Sequence, residues 1–416
     1  MKVFKFGGAS IKDAKGVKNV ATILQLYPQQ PLVIVISAMG KTTNHLEKIL
    51  SLYRNGQDYS IEIEKLKQYH HEIMHDLFLD LHPIWKDISG VFDKIEVELK
   101  KNRTADQSYD QVVSLGEIMS TTIVHRYLLN QQIISEWIDA RNYVVTDATF
   151  REGKVDWEKT EEKIQQIPSI LNNKKIALTQ GFIGRTKDGL TTTLGRDGSD
   201  FSAAIFASCL NAKSVTIWKD VPGVMNVDPK RLPEAAIVFE ELPFREAAEM
   251  TYYGASIIHP KTIKPLANAG IPLYVKSFDD PSLAGTKIHD CKVENLPPLI
   301  VFKDNQCLVS CKVTDYTFVT EDQMRSIFNT LSELNLRINV MQNSAISFSF
   351  CIDFREDKIG VLIKKLHEHF EVYYNTGLTL ITIKNYDQKT FDKYHHMKGV
   401  LLEQLSRSTL QILVRI

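Results

Sequence analysis

Arg196, Asp200, Lys219 and Asp220 fall close together in TTTLGRDGSDFSAAIFASCLNAKSVTIWKDVPGVMNVDPK, residues 191–230. Gly195 to Asp200 reads as a tight polar turn. Ser199 suits an N-cap and Asp200 the first helical turn, where the dipole is positive. A helix of small and apolar residues follows over Phe201–Leu210, then a β-branched strand over Ser214–Trp218. Lys219, Asp220 and the turn Val221-Pro222-Gly223 stand at its carboxyl end, where open α/β sheets bind ligands. One short segment thus brings two cations and two carboxylates toward one crevice. The same pattern also describes an ordinary loop–helix–strand with solvated charges.

Two further stretches carry chemistry. The strand Lys2–Phe6 runs into Gly7-Gly8-Ala9-Ser10, and a helix is expected from Asp13 to Leu26. Strand, glycine turn and helix present free backbone N–H groups to phosphate, and Lys5 adds positive charge. Many such turns bind nothing. Glu117 is an acid among small and apolar neighbours in Ser114-Leu115-Gly116-Glu117-Ile118-Met119-Ser120. It reads either as a solvent-facing glutamate or as a carboxylate in a pocket, holding an ammonium group. The Gly40-Lys41-Thr42 turn after the apolar strand Pro31–Ile36 is not a P-loop, because Val35 stands where that motif needs its first glycine.

These residues need elements to hold them. Residues 58–130 are helical in pattern, with a charged helix over Glu62–Leu79 and an apolar one over Gln111–Leu129. His70, His71 and His75 lie on the charged helix without an H-E-x-x-H pattern, as on a solvated face. Strands are expected at Ile133–Asp139, Lys175–Thr179 and Ile271–Val275, the last closing this half. A short helix over Val238–Ala248 is expected to carry Glu240, Glu241 and Glu246, with Glu249 just beyond. His259 reads as a packed, hydrogen-bonded histidine rather than a ligand. Alternating strands and helices imply an α/β layered domain over residues 1–288 with a mostly parallel sheet. Residues 289–299, with Pro297-Pro298, read as a linker.

The remainder reads as strand Gln306–Val313, helix Glu321–Leu334, strands Leu336–Met341 and Ala345–Ile352, helix Lys358–Phe370 and strand Glu371–Tyr374. That is a ferredoxin-like βαββαβ unit over residues 300–375. A second round over 376–416 has strand Leu378–Lys384, helix Thr390–Met397 and strands Val400–Leu405 and Leu410–Arg415. Its last helix and strand are missing.

The 416 residues carry 50 basic and 50 acidic side chains, so no nucleic-acid footprint or polybasic membrane patch is expected. The apolar run Leu32–Ile36 is too short to span a bilayer, and Met1 leads straight into a strand rather than a signal peptide. Five scattered cysteines without C-x-x-C fit a reduced, cytoplasmic protein.

Eight motifs occur in a fixed order. They are Lys5-Phe6-Gly7-Gly8-Ala9-Ser10, Ser37-Ala38-Met39-Gly40-Lys41-Thr42-Thr43-Asn44, Leu115-Gly116-Glu117-Ile118-Met119-Ser120 and Leu194-Gly195-Arg196-Asp197-Gly198-Ser199-Asp200. Trp218-Lys219-Asp220-Val221-Pro222-Gly223-Val224, Asp228-Pro229-Lys230, Glu246-Ala247-Ala248-Glu249-Met250 and Gly254-Ala255-Ser256-Ile257-Ile258-His259-Pro260 follow. In this order they resemble the monofunctional aspartate kinases of the amino-acid-kinase superfamily, over nearly the whole chain. The tail resembles the paired ACT modules of that family, a full one at 300–375 and a shortened one at 376–416.

The resemblance implies an αβα amino-acid-kinase fold and transfer of the ATP γ-phosphoryl group to the β-carboxylate of L-aspartate, with Mg²⁺. The product, 4-phospho-L-aspartate, leads to lysine, threonine and methionine. It further implies that Lys5 and Asp200 are catalytic. Lys5, Gly7, Gly8, Lys219, Asp220, Met225, Lys230 and Ser256 would bind nucleotide. Ser37, Thr43, Glu117, Arg196, Gly198 and Ser199 would bind aspartate. An amino-acid effector at the ACT modules and a homodimer are the family expectation. Ala9, Lys219, Met225, Lys230 and Ser256 depart from the commonest pattern, as does the turn Thr314–Thr320 where an effector pocket is usual. Alternatives are a glutamate kinase or a non-catalytic amino-acid sensor that keeps the ACT pair.

Overall fold

The computed structural model describes residues 1–28, 31–171, 176–255, 258–314 and 317–415. They form two compact units, one of residues 1–224, 238–248 and 258–292, the other of 225–237, 249–257 and 293–416.

The first unit begins with β1 (Lys2–Phe6), α1 (Ala14–Gln25) and β2 (Leu32–Ile36). Every residue of LVIVI in β2 is buried, as a strand covered on both faces requires. Four helices follow: α2 (Thr42–Arg54), α3 (Ser60–Leu77), α4 (Ile84–Leu99) and α5 (Ala105–Asn130). The last starts six residues earlier than its apolar pattern suggests, because Thr104 and Gln107 close a capping box ahead of it. Next come β3 (Ser135–Ile138), α6 (Trp157–Ile164), α7 (Ile167–Leu171), β4 (Ile176–Gln180), the hairpin β5 (Ile183–Arg185) and β6 (Thr191–Thr193), α8 (Gly198–Cys209) and β7 (Val215–Lys219). Lys175, expected to open β4, lies outside the described residues. The unit ends with β8 (Glu241–Pro243), α10 (Pro260–Asn268), β9 (Leu273–Ser277) and β10 (Thr286–His289), while α9 (Phe244–Tyr252) runs between segments of the two units.

The eight-stranded sheet has the order β3-β4-β2-β1-β7-β9-β10-β8. Its pairs are parallel except β9–β10. β1 lies between β2 and β7, so Lys5 projects from the middle of the sheet. Phe6 is register partner to Trp218, and their rings stack 6.1 Å apart. Both are buried, with Phe4 and Phe278 against them. Truncating Phe6 to alanine there costs about 3–5 kcal/mol.

Two expectations are corrected here. Residues 238–248 are not one helix: Glu241–Pro243 form edge strand β8, and α9 starts only at Phe244. Pro243 lacks the N–H that a helix interior needs, whereas an edge strand tolerates it. Nor does the strand near 271–275 close this half. β10 pairs antiparallel to β9 and parallel to β8, extending the sheet by two strands.

In the second unit, β11 (Leu299–Lys312), β12 (Ile338–Asn343), β13 (Ser347–Asp353), β14 (Glu371–Lys384), β15 (Val400–Leu405) and β16 (Thr409–Val414) share one antiparallel sheet, with helices α11 (Glu321–Glu333), α12 (Glu356–Leu366) and α13 (Gln388–His395) between them in the chain. Its order is β12-β13-β11-β14-β16-β15. The strands expected at Glu371–Tyr374 and Leu378–Lys384 are one strand, and β11 starts well before Gln306. Asn305 and Gly377 adopt positive φ, and the ladder shifts register between Lys303 and Leu308, so both strands bend without ending. The first half of β11 therefore pairs with the second half of β14 and supplies the strand that the short second round lacks. Where a second helix is missing, Val227, Leu232 and Ala236 pack with Ile300, Ile381, Ile383 and Ile412. In the turn Thr314–Thr320, Asp315 and Tyr316 lie outside the described residues; Thr320 caps α11.

Candidate functional site

Lys5 is nearly buried near the end of β1, and its Nζ lies 2.6 Å from Asp200 Oδ1 on α8. Beside it, the turns after β1 and β2 interlock. Gly40 N–H donates to Gly8 O at 2.9 Å, and a Cβ on Gly8 would stand 2.3 Å from Ala38 O. Only glycine permits that approach. A Cβ on Gly7 would stand 3.4 Å from Lys5 Nζ, so the missing side chain leaves space directly over the ammonium.

Glu117 comes up from α5. A Cβ at Gly116 would lie 3.0 Å from Thr42 Cγ2 and 3.3 Å from Ala38 Cβ, so this glycine lets α5 press against the β2–α2 turn. Glu117 is 3 % exposed, and its Oε2 makes no hydrogen bond. Burial pushes its carboxyl up to about 8, against the opposing pull of the Ala38 amide and Lys5. A buried carboxylate with a free oxygen fits an incoming ammonium group.

The third side is the turn into α8. Gly195 and Asp197 take positive φ, and the helix begins at Gly198. Ser199 is therefore not the N-cap; Asp197 holds that place and makes no side-chain capping bond. Packing decides this start. A Cβ on Gly181 would meet Ser199 Cβ at 2.6 Å, and one on Gly198 would meet Phe182 Cδ2 at 2.6 Å. Phe182 N–H donates to Ser202 Oγ at 2.8 Å. The helix N-terminus, which favours anions, is held against the β4–β5 turn.

A cavity of about 620 Å³ gathers Lys5, Gly8, Ser37, Thr43, Glu117, Arg196, Gly198, Ser199, Asp200 and Lys219. Burial lowers the Lys219 ammonium, while Asp200 opposes that effect. The Arg196 side chain is 85 % exposed, 3.7 Å from Asp197 Oδ2, and free to swing. Thr42 is structural, donating to Met39 O at 2.6 Å, whereas its neighbour Thr43 reaches the cavity. Gly7 precedes the lining residue Gly8. Asp220 lines an adjoining cavity with Ala9, Lys12, Lys15 and Asp279. Met225 and Lys230 belong to the segment 225–237 of the second unit and are not among the lining residues. Ser256 lies outside the described residues. His259 caps α10, its Nδ1 accepting from Lys261 N–H at 3.1 Å.

Sequence reasoning missed Arg151, Tyr109 and Phe182, which also line the cavity. The Arg151 guanidinium lies 3.9 Å from the Tyr109 ring centroid, and Tyr109 donates to Glu47 Oε1 at 2.5 Å. Arg151 takes φ 67°, with its N–H held by both oxygens of Asp110. Burial pushes Asp110 up to about 6, although Arg151 N–H, the Thr193 hydroxyl and Thr193 N–H all donate to it. Asp110 is fully buried, yet its sequence neighbours Ser108, Tyr109 and Gln111 are polar, so the signal that singled out Glu117, an acid among small and apolar residues, is absent there.

The site thus offers a carboxylate for an ammonium group, guanidinium groups for a carboxylate, and a lysine with free amides for phosphates. A family model described as the amino acid kinase family matches residues 1–277. The chain is 32% identical over 358 residues to lysine-sensitive aspartokinase 3 of Escherichia coli K12, covering 84% of this chain and 78% of that protein. It is 27% identical over 391 residues to the chloroplastic bifunctional aspartokinase/homoserine dehydrogenase 2 of Arabidopsis thaliana, covering 90% of this chain but only 42% of that protein. The crystal structure of E. coli aspartokinase III with aspartate and ADP superposes with a TM-score of 0.82 at 28% identity, covering 100% of this chain and 96% of that one.

Proposed function

This chain belongs to the amino acid kinase family, among its aspartokinases, and from that premise we propose how its residues transfer the ATP γ-phosphoryl group to the β-carboxylate of L-aspartate. The observation that carries the reading is Glu117, buried with a free oxygen, in the same cavity as the Lys5–Asp200 ion pair. Glu117 takes the substrate ammonium. Arg196 closes on a substrate carboxylate in a two-pronged hydrogen bond, with Ser37, Thr43 and Ser199 donating to the remaining oxygens. The attacking carboxylate oxygen is already an anion, so no general base is needed. Its bond to the γ-phosphorus forms as the bond from phosphorus to the β–γ bridging oxygen breaks, and ADP leaves with the electron pair.

Lys5, steered by Asp200, neutralises charge on the moving phosphoryl group. The amides of Gly7 and Gly8 and the N-terminus of α8 hold phosphate oxygens. Lys219 and Asp220 lie toward the nucleotide. Met225, Lys230 and Ser256 are retained as nucleotide contacts on the resemblance alone. Mg²⁺ would be held mostly by the nucleotide phosphates and water, and would supply charge neutralisation there.

The division of the sequence reading is kept in outline as part of this proposal, with kinase domain 1–288, linker 289–299 and ACT-like modules 300–375 and 376–416, while residues 225–237 and 249–257 group with the second unit and the first half of β11 completes the second module. Lysine is the first effector to test, because an aspartokinase 32% identical to this chain is lysine-sensitive. A homodimer through the C-terminal unit is supported by Met341, Ile346, Tyr373 and Tyr374, each more than two-fifths exposed. A cytoplasmic location is supported by five unpaired cysteines. Among the described residues, no helix is long and apolar enough to cross a membrane.

The test supplies ATP, Mg²⁺ and either L-aspartate or L-glutamate, with hydroxylamine to trap an acyl phosphate. Aspartyl hydroxamate formed only from aspartate is expected. Hydroxamate from glutamate, or none from a folded protein that binds amino acids, overturns the reading.

A further inference from the structure

Glu241, His289 and Cys291 converge at one edge of the eight-stranded sheet, and none of them lines the cavity described above. Glu241 opens edge strand β8, and Lys287 of β10 is its register partner. Alternation along β10 puts residues 287 and 289 on one face, opposite the buried Ile288, and Cys291 follows two residues beyond. One donor atom from each of Glu241, His289 and Cys291 lies within 4.8 Å of the others. His289 Nε2 stands 3.2 Å from Glu241 Oε1. In a tetrahedral zinc site, with bonds of about 2.0–2.2 Å to nitrogen and oxygen, those two atoms sit about 3.3 Å apart.

The donors suit such an ion in kind as well as in place. Imidazole, thiolate and carboxylate together are the zinc set, whereas magnesium and calcium prefer oxygen alone. Cys291 is the one cysteine of the five that is not buried. The carboxylates of Glu241 and Asp290 act on its sulfur, so a cation there would meet negative charge. The competing cation is Lys287, whose Nζ lies 3.7 Å from Glu241 Oε1 with Glu241 half exposed. A pair so exposed is worth little.

We propose that Glu241, His289 and Cys291 form a binding site for a divalent ion of the zinc class, with its fourth position open to water. The ion would tie three-residue edge strand β8 to β10 and to the start of the segment that leaves the sheet. Binding exchanges the Cys291 thiol proton for the metal, and that proton goes to solvent.

The probe is Co²⁺, added to the untagged full-length chain after treatment with a chelator. One equivalent is expected to give tetrahedral d–d absorption and a near-ultraviolet thiolate-to-cobalt charge-transfer band, both erased by Zn²⁺. The other four thiols are buried, so the band reports on Cys291. His71 and His75 on α3 could hold cobalt without sulfur and would give no such band. Cys291→Ser is expected to abolish the band, and His289→Ala to weaken binding by at least the about 10- to 100-fold that loss of an outer-shell partner costs. Kinase turnover in both variants serves as the folding control. Absence of the band from the parent, its survival in Cys291→Ser, or His289→Ala affinity within about twofold of the parent would overturn the proposal.

Discussion

Raising the pH from 6.5 to 8.5 should tighten aspartate binding about 25-fold, through Glu117 alone. The carboxyl is pushed up to about 8 by burial in the empty site, yet it must be ionised to hold the substrate ammonium. With that value, about 3 % of the protein is ionised at pH 6.5 and about 76 % at pH 8.5, and apparent affinity scales with the competent fraction. At pH 7 each aspartate bound should expel about 0.9 proton. Calorimetric titration in two buffers of different ionisation enthalpy measures both quantities. Lys219 and Asp110 also carry shifted values, so the control is Glu117→Gln, which keeps the shape and removes the titration. That variant should bind aspartate with no comparable pH dependence, and at pH 8.5 more weakly than the parent by at least about 2 kcal/mol, roughly 30-fold.

Stability must move the opposite way. Unfolded Glu117 ionises near 4.5 while the folded group keeps its proton to about 8, so folding binds a proton between those values. Stability is therefore full below 4.5 and falls as pH rises toward 8, by up to about 5 kcal/mol. The midpoint of thermal unfolding of Glu117→Gln should rise relative to the parent from pH 6 to 8.5. Aspartate affinity that stays flat across this range, with no proton release, would refute the assignment of Glu117 to the ammonium.

Other substitutions probe the remaining roles. Lys5→Ala should lower kcat by more than about 100-fold, measured as hydroxamate formation, because it removes a clamp on the transferring group. Gly8→Ala should abolish turnover and weaken ATP binding measured by fluorescence titration, since its Cβ would stand 2.3 Å from Ala38 O and force the two turns apart. Arg196→Ala should raise the aspartate KM by about 10- to 150-fold, the worth of a charged hydrogen bond of about 1.5–3 kcal/mol, while leaving the ATP KM nearly unchanged. Arg151→Ala should raise the aspartate KM by only about two- to fivefold, since the ring contact that holds it is worth about 0.5–1 kcal/mol at an exposed site and its 3.6 Å ion pair with Asp106 is exposed and adds little.

Much of the site was legible before any fold was in hand. Lys5 before two glycines, Glu117 inside an apolar helix and Arg196 to Asp200 ahead of a small-residue helix each violate the local pattern, and the fold gathers them in one cavity. The strand positions 2–6 and 400–405 follow directly from alternation and turn residues. Arg151 was not legible. Its turn has ordinary composition, and only the long-range hydrogen bonds to Asp110 bring it to the cavity.

The sequence by itself determined which side chains are chemically competent and the order of strands and helices that carry them, because periodicity and turn chemistry act over a few residues. Only the tertiary structure decided what meets what. It joined the two ACT-like rounds into one sheet through the long strands β11 and β14, whose bulges look like strand ends when read locally. It set the start of α8 at Gly198 through the close approach of Gly181 and Phe182. It placed Glu241 beside His289 and Cys291, separated by some fifty residues of chain, through the pairing of β8 with β10. Burial and proximity are properties of the whole packed chain, and so are the shifted proton affinities of Glu117 and Asp110 that follow from them.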